Sequence, residues 1–468
     1  MTRELCILDS TLREGELFRV FGQSTRLKVA SILSRICVDR AELTVDYPPR
    51  TSGSELEEVM RALHDSGTEV VLHGRACEED VRRIIDHEPD GCVLYVAISS
   101  SHREHKLHGI SEESAIETLR ESVSMARNQG IRYVRATLED ASRVYVEEGS
   151  KRIGAFGRIV EELREDGATI ASIPDTSGLM MPRQAASFFK DVSRVSTLPL
   201  SAHFHNDYGF ASANTVEAAL EGAQELQVSL MGIGDRNGIG DLYEVVAAMH
   251  DTYSVRMNVA RDGLRAAYEG FAKVTGIDHY WRHPLSTEAR TIRGGVHQSM
   301  VTRRPDGYIP RKKLENDFMP SYAVNQFVSH RLIQEILARS GQTVDEASSR
   351  RVAEQVAASA RLKGKVGISG IQEIIKTETG VCVSRSQIAG VIGGQRVYVL
   401  LKLQPQFPAW KIADDVGRWD DVEQVEEVYG ESDMIVRATM IDDKNNVITN
   451  LRKSYPEAIL DLKVLLSE

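Results

Sequence analysis

The chain has 468 residues, 42% of them hydrophobic and 27% charged, and a net charge of −11. This is the composition of a globular protein of two or three domains, and its acidity disfavours non-specific binding to nucleic acid or anionic membrane, since both need a basic surface. Five scattered cysteines without a C-x-x-C spacing suggest neither a disulfide framework nor a thiolate zinc site. The N-terminus MTRELCILDS has no signal-peptide character, and no apolar run approaches the ~20 residues that span a bilayer, so a cytoplasmic location is expected.

From the start of the chain, short β-branched or apolar runs alternate with stretches of helical period. The expected strands are ELCILDSTL, AELTV, EVVLHG, CVLYVAIS, RYVRATLED, TIASIPDTS, LSAHFHND and QVSLMGIGD. Amphipathic patterns such as TRLKVASILSRI, SELEEVMRALHDSG and SANTVEAALEGAQ lie between them. Eight such units in about 250 residues predict an α/β (β/α)8 TIM barrel over residues 1–255. A doubly wound open sheet is the alternative, but no G-x-G-x-x-G follows the first strand.

A barrel gathers its active site at the C-terminal ends of its strands, and the polar residues fall there. Asp9, Arg13 and Glu14 follow the first strand, His73 and Arg75 end the third, and Arg135, Thr137 and Glu139 lie on the fifth. Asp175 and Thr176 end the sixth, His203, His205, Asn206 and Asp207 the seventh, and Asp235 and Arg236 the eighth. One or two would be ordinary caps or loop ion pairs, but so many ionisable groups at one rim are costly to desolvate unless they bind something.

In HFHND, His203 and His205 stand at i and i+2 of a strand, so both imidazoles face one side. The pair alone is weak evidence for a metal, because His-x-His recurs in ordinary strands; Glu14 completes a facial set of two imidazoles and a carboxylate with open positions. Such a set suits Zn, Mn, Co, Fe or Mg without selecting among them.

Residues 256–395 read as a mainly helical accessory region, with turn-rich breaks at HPLSTEARTIRGGVH and RRPDGYIP. IQEIIKTETGVCVSRSQIAGVI has the outline of a helix-turn-helix, but two short packed helices are far commoner than a DNA reader. Residues 396–468 spell βαββαβ, the split-βαβ ferredoxin-like pattern, beginning after the GG of VIGGQR. Within it YGESDMIVRATM resembles the effector-binding (RAM) domain of the Lrp/AsnC regulators. That resemblance implies an amino-acid effector and an oligomerising role, hence a homodimer or higher homo-oligomer.

ILDSTLREGE, VLHGRA, VRATLED, PDTSG, HFHNDYGFASANTVEAALEGA and MGIGDRNGIG, in this order, resemble the homocitrate synthase and isopropylmalate synthase family of the DRE-TIM metallolyase superfamily. The resemblance spans the barrel and thins beyond it. It implies a divalent metal that chelates a 2-oxo acid, and attack on the polarised carbonyl by the enolate of acetyl-CoA as co-substrate. The implied enzyme is an acyltransferase nearest to the one that makes homocitrate from 2-oxoglutarate, as in lysine biosynthesis.

By position, Glu14, His203 and His205 would bind the metal, and Arg13 would bind substrate and stabilise oxyanion charge. Thr176 would hold the chelating carboxylate and His73, Arg135 and Thr137 the distal one. Another reading of Arg135 is a buried partner of Glu139, and Asp207 is expected to orient a ligating His. Ile239 stands where several relatives carry Asn, as it does in the homocitrate subgroup.

Three positions depart from the pattern. The family motif S-H-K-A-G-M-H carries a first His that helps remove the methyl proton of acetyl-CoA; here TIRGGVH puts Ile292 at that place, while His297 keeps the second. The family's Tyr is missing from the following QSMVT, and Leu17 replaces a Gln. Losing a general base typically costs about a hundred- to ten-thousand-fold in rate. Either Glu139, His297 or another residue takes the proton, or the nucleophile is not acetyl-CoA, or the reaction is an aldol or lyase step on a chelated 2-oxo acid. A non-catalytic amino-acid sensor is the remaining reading, and the retained metal set speaks against it.

Overall fold

The computed structural model describes residues 5–48, 51–278, 282–304, 307–308, 321–363, 366–393, 395–419, 421–440 and 446–466. The chain divides into two compact units, Met1–Thr275 and Gly276–Glu468.

In the first unit, β1 (Cys6–Asp9), β2 (Arg40–Thr44), β3 (Glu69–Arg75), β4 (Gly91–Ala97), β5 (Tyr133–Glu139), β6 (Ile170–Ser172), β7 (Leu200–Ala202) and β8 (Ala223–Val228) pair in sequence order. All pairs are parallel, and β8 closes on β1, so the expected eight-stranded barrel forms. The register puts Thr44, His73, Val93 and Arg135 side by side on β2 to β5, which sets two expected site residues at one height.

Helices between the strands bury one stripe each. Helix Glu112–Asn128 is capped by Ser111, whose hydroxyl accepts from Ser114 N, and buries Ile116, Leu119, Val123 and Ala126 at helical spacing.

The eighth strand differs from the expected QVSLMGIGD. Gly222, at φ 135°, ends the preceding helix at Glu221, so Ala223 and Gln224 open the strand instead of closing the helix. The strand ends at Val228, and Leu230–Gly232 is a 3-10 turn.

The barrel base is closed by polar bonds as well as by the apolar cluster of Leu8, Val71 and Val93. Glu225, buried, accepts from Tyr133 Oη at 2.7 Å and Ser201 Oγ at 2.8 Å and pairs with Arg40 at 3.2 Å. Arg40 also lies 4.3 Å from the Tyr133 ring centroid and pairs with Glu69 at 2.8 Å.

In the second unit, helices His330–Arg339, Glu346–Lys363, Ile368–Thr379 and Arg385–Ile392 share a core that includes Leu332, Ile336, Val356, Ile371 and Ile388. The two helices of the helix-turn-helix outline thus spend their apolar faces on this core. Before it, β9 (Thr291–Ile292) and β10 (Ser321–Tyr322) form a short parallel pair. Half of the break expected at RRPDGYIP, residues 305, 306, 309 and 310, lies outside the described residues.

Strands β11 (Gln395–Leu403), β12 (Val422–Glu427), β13 (Met434–Met440) and β14 (Ile459–Leu466) form an antiparallel sheet in the order β12-β13-β11-β14. Helices Ala409–Val416 and Val447–Ser454 complete the split-βαβ pattern. Val397, Val399 and Leu401 alternate inward on β11 against Ile412 and Leu451. No helix among the described residues is long and apolar enough to cross a membrane.

Glu225→Ala removes the shared acceptor while leaving Arg40 and the Tyr133 and Ser201 hydroxyls without it. The expected loss is about 3–5 kcal/mol, read as a lower urea midpoint for barrel unfolding. A midpoint unchanged from wild type would show that the base of the barrel does not depend on this carboxylate.

Candidate metal and anion site

The site is built on the strand ends, where the backbone leaves the sheet and side chains converge. Glu14 opens the short helix Glu14–Phe18 after β1, and His203 and His205 follow β7. The loop after β8 folds over Glu14 and brings Asp235 N to 3.4 Å from Glu14 Oε2. This closure needs Gly238, at φ 81°, because a Cβ there would lie 1.8 Å from Gly232 O.

His203 Nε2 is 3.2 Å from His205 Nε2 and 4.0 Å from Glu14 Oε1, and the three donor atoms lie within 4.8 Å of one another. All three residues are buried. Burial holds the His203 imidazole well below its ordinary pKa, and the neighbouring His205 and Arg13 add to the effect. Burial lowers His205 as well, against the pull of Glu14. Two neutral imidazoles and one carboxylate, facing a common point, are a donor set that fits a divalent cation and leaves coordination positions free. The Nδ1 atoms of both rings have no hydrogen-bond partner among the described residues, and Asp207 is not their orienting group. Asp207 instead takes two bonds from Arg236, both at 2.8 Å, which hold its carboxyl below the usual range. Arg236 also donates to Thr176 O at 2.9 Å, bracing the rim.

Beside the metal set lies a cavity of about 350 Å³ lined by Arg13, Glu14, His73, Arg135, Thr137, Glu139, Thr176, His203 and His205. The barrel residues expected to bind the metal, hold the oxo acid or transfer the proton therefore all line one space, whereas Asp9, Arg75, Asp175, Asn206 and Asp207 do not. His297 belongs to the second unit, where it is exposed and stacked on Tyr308 with ring centroids 4.2 Å apart.

Arg135 is buried, and its Nη2 donates to Gln227 Oε1 at 2.6 Å and Ser172 Oγ at 2.8 Å. Its Nε makes no hydrogen bond among the described residues, and neither does Thr137 Oγ1, while Nη1 has only the Glu225 carboxylate 3.8 Å away. Buried donors left open at the wall of a cavity are what a bound carboxylate would satisfy. Gln227 Nε2 donates onward to Glu42 Oε2 at 2.6 Å, and Arg13 Nε lies 3.0 Å from the same oxygen while its Nη1 donates to Glu14. His73 is stacked on Tyr95 at 4.8 Å; burial, then the charges of Arg13 and Arg135, hold it well below its ordinary pKa and so neutral. Thr176 Oγ1 accepts from Asp140 N at 2.9 Å, and Asp140 sits in the left-handed region at φ 63°.

The expected pairing of Arg135 with Glu139 does not form. Four residues along a strand span about 13 Å, too far for one ion pair. Glu139 is held by Lys106, whose Nζ donates to its two oxygens at 2.7 and 2.8 Å. Lys106, Tyr95, Glu42 and Gln227 all line the cavity and were not among the residues expected there. A polar residue inside an otherwise apolar strand, as in AELTV, was the available signal for Glu42; the helix carrying Lys106, SSHREHK, offered none.

A closed parallel barrel with two imidazoles, a carboxylate and a pocket lined by guanidiniums at its C-terminal rim defines a TIM-barrel protein with a candidate metal site. Residues 4–269 match the HMGL-like family model, more than half of the chain, and the chain belongs to that family. It is similar to the homocitrate synthase of Sulfolobus acidocaldarius, 26% identical over 465 residues covering 95% of this chain and 94% of that protein. It is also similar to the homocitrate synthase AksA of Methanopyrus kandleri, 26% identical over 377 residues covering 80% and 92%. Among solved structures, a Bacillus subtilis HMG-CoA lyase superposes with a TM-score of 0.51 at 19% identity, covering 59% of this chain and 95% of that one, a likeness of fold.

Asp9, fully buried at the end of β1, accepts from Thr11 N at 2.9 Å, yet burial raises its pKa to about 7. A folded pKa above the unfolded value of 3.8 means that the native state binds the proton more tightly. Wild-type stability is therefore expected to fall as pH rises from about 4 to about 7 through this group, and Asp9→Asn to lose that part of the decline. Urea midpoints of both proteins after chelator treatment, at about pH 5 and about pH 8, check it. Parallel declines in the two proteins would remove Asp9 as the cause.

Proposed function

We propose that the chain is a metal-dependent condensing enzyme that joins the enolate of an acyl-CoA, acetyl-CoA first, to a 2-oxo dicarboxylic acid, nearest in reaction to homocitrate synthase. The observation that carries the reading is the pairing of a metal donor set with the open donors of Arg135 and Thr137 in one cavity. A branched-chain oxo acid would want an apolar wall at that place. The two relatives named above, matched over most of their length, support the same reaction type.

A divalent ion held by Glu14, His203 and His205 would supply Lewis-acid polarisation of the keto carbonyl. The chain's own residues do the rest. Arg135, with Thr137 and neutral His73, binds the distal carboxylate. Thr176, fixed by the Asp140 amide, presents a hydroxyl to the carboxylate next to the keto group. Arg13, locked between Glu14 and Glu42, offers a fixed cation where oxyanion charge develops. Glu139 is the acid/base group, with His297 the other candidate. The C-terminal split-βαβ domain is read as an amino-acid effector and oligomerising module of a cytoplasmic homo-oligomer.

A second reading, an aldolase or lyase acting on the same chelated 2-oxo acid without acetyl-CoA, is favoured by one observation. Ile292 is buried with Val301 beside Tyr322, so no proton-transfer group stands at that position.

The test is purified, metal-loaded full-length protein with acetyl-CoA and a panel of 2-oxo acids, followed by free thiol and product mass. Thiol release dependent on 2-oxoglutarate is expected, abolished by chelator, and His205→Ala should lose bound metal by elemental analysis. Arg135→Gln should raise KM for the oxo acid about 10- to 100-fold, the worth of a hydrogen-bonded charge. No thiol release with any acceptor, from protein shown to hold metal, would overturn the condensing reading in favour of the aldol one.

A further inference from the structure

Resting on that condensing reading, we infer that Lys106 is the positioning residue that makes Glu139 the proton acceptor of the reaction, in place of the imidazole that Ile292 does not supply. Lys106 ends the short helix Ser100–Lys106 after β4, and both Lys106 and Glu139 line the cavity. The Lys106 Nζ grips both carboxylate oxygens, at 2.7 and 2.8 Å, and lies 5.1 Å from the centroid of the Tyr95 ring, which stacks on His73. One turn earlier on the same helix, His102 brings Nδ1 to 3.9 Å from Glu139 Oε1 and Nε2 to 3.6 Å from Asp140 Oδ2. Glu139 is thus faced by an ammonium and an imidazole from one element, and by the Tyr95 ring from β4.

Two effects follow from this arrangement. A carboxylate held at both oxygens cannot rotate away, which fixes the acceptor atom relative to the cavity. The cavity also contains Glu14 and Glu42, and a dianionic oxo acid would be repelled by a further unpaired carboxylate; the ammonium offsets that charge where the acceptor enters.

The proton balance is then complete within the barrel. The C–H bond of the thioester's methyl group breaks, the proton goes to a Glu139 oxygen, and the electron pair stays as the enolate. That pair forms the new C–C bond to the keto carbon, whose π pair moves to oxygen and is protonated by the Glu139 acid. One water then hydrolyses the thioester and releases the free thiol.

The experiment uses full-length, metal-loaded Lys106→Met and Lys106→Arg beside wild type, with three readouts. These are 2-oxoglutarate binding by calorimetry, washout of acetyl-CoA methyl protons in D2O, and kcat and KM of thiol release. Lys106→Met is expected to lose about 100-fold in washout and kcat. Its affinity for 2-oxoglutarate should stay within about threefold, and Lys106→Arg should recover much of the lost rate. Washout in Lys106→Met within about twofold of wild type overturns the inference, as does a loss that follows oxo-acid affinity alone or one that Arg does not relieve. Wild type that binds 2-oxoglutarate but releases no thiol overturns the condensing reading, and this inference falls with it. Active wild type with an equally active Lys106→Met overturns the inference alone.

Discussion

The site depends on one line of bonded charges through the inside of the barrel. Arg13 pairs with Glu42, Glu42 accepts from Gln227, Gln227 accepts from Arg135, and Arg135 Nη1 stands 3.8 Å from Glu225, which Arg40 neutralises from below. Isolated charges could not persist at this depth, since each would cost several kcal/mol to desolvate. Alternating sign, with a neutral amide between Glu42 and Arg135, makes every member the compensation of the next. Arg13 and Arg135 are fixed by the same line that allows them to be there.

That line also sets the protonation state of what surrounds it. The imidazoles of half-buried His73 and buried His203 stay neutral because desolvation and the Arg13 and Arg135 guanidiniums both oppose a further positive charge. His203 is thereby left with a lone pair for a metal and His73 with an uncharged ring that packs flat on Tyr95. The same cations oppose no anion. Under the condensing reading, the cations Arg13, Arg135 and Lys106, set against Glu14, Glu42 and Glu139 in the same cavity, are what would offset the charge of a substrate with two carboxylates.

The barrel and much of its rim were legible because both rest on short-range rules. Period-2 and period-3.6 patterning gave eight units in order, and alternation along a strand put His203 with His205 and Arg135 with Thr137 on common faces. The misreadings are places where distance, not periodicity, decides. Arg135 and Glu139 share a face but lie too far apart along β5 to pair. The QVSL segment looked like the start of a strand because its apolar run continues past Val228, whereas the Gly222 conformation had already begun the strand at Ala223. Lys106 was not legible at all. It comes from a polar, solvent-facing helix, and only the closed barrel brings that helix over the end of β5.

The substitution at 292 is best understood from its surroundings. Ile292 packs with Val301 and Tyr322, where a His would bring two ring nitrogens into an apolar cluster that offers them little compensation. An Ile there is a stable packing choice, so the position carries no sign of a decaying catalytic group. Meanwhile Glu139 in the barrel is paired with Lys106 and faced by His102, both on the helix Ser100–Lys106 that follows β4. Under the condensing reading with Glu139 as base, the groups that hold the metal, the oxo acid and the transferred proton all belong to one compact unit, Met1–Thr275. Proton transfer then needs no side chain from beyond that unit, which makes the loss of an imidazole at 292 chemically affordable rather than fatal.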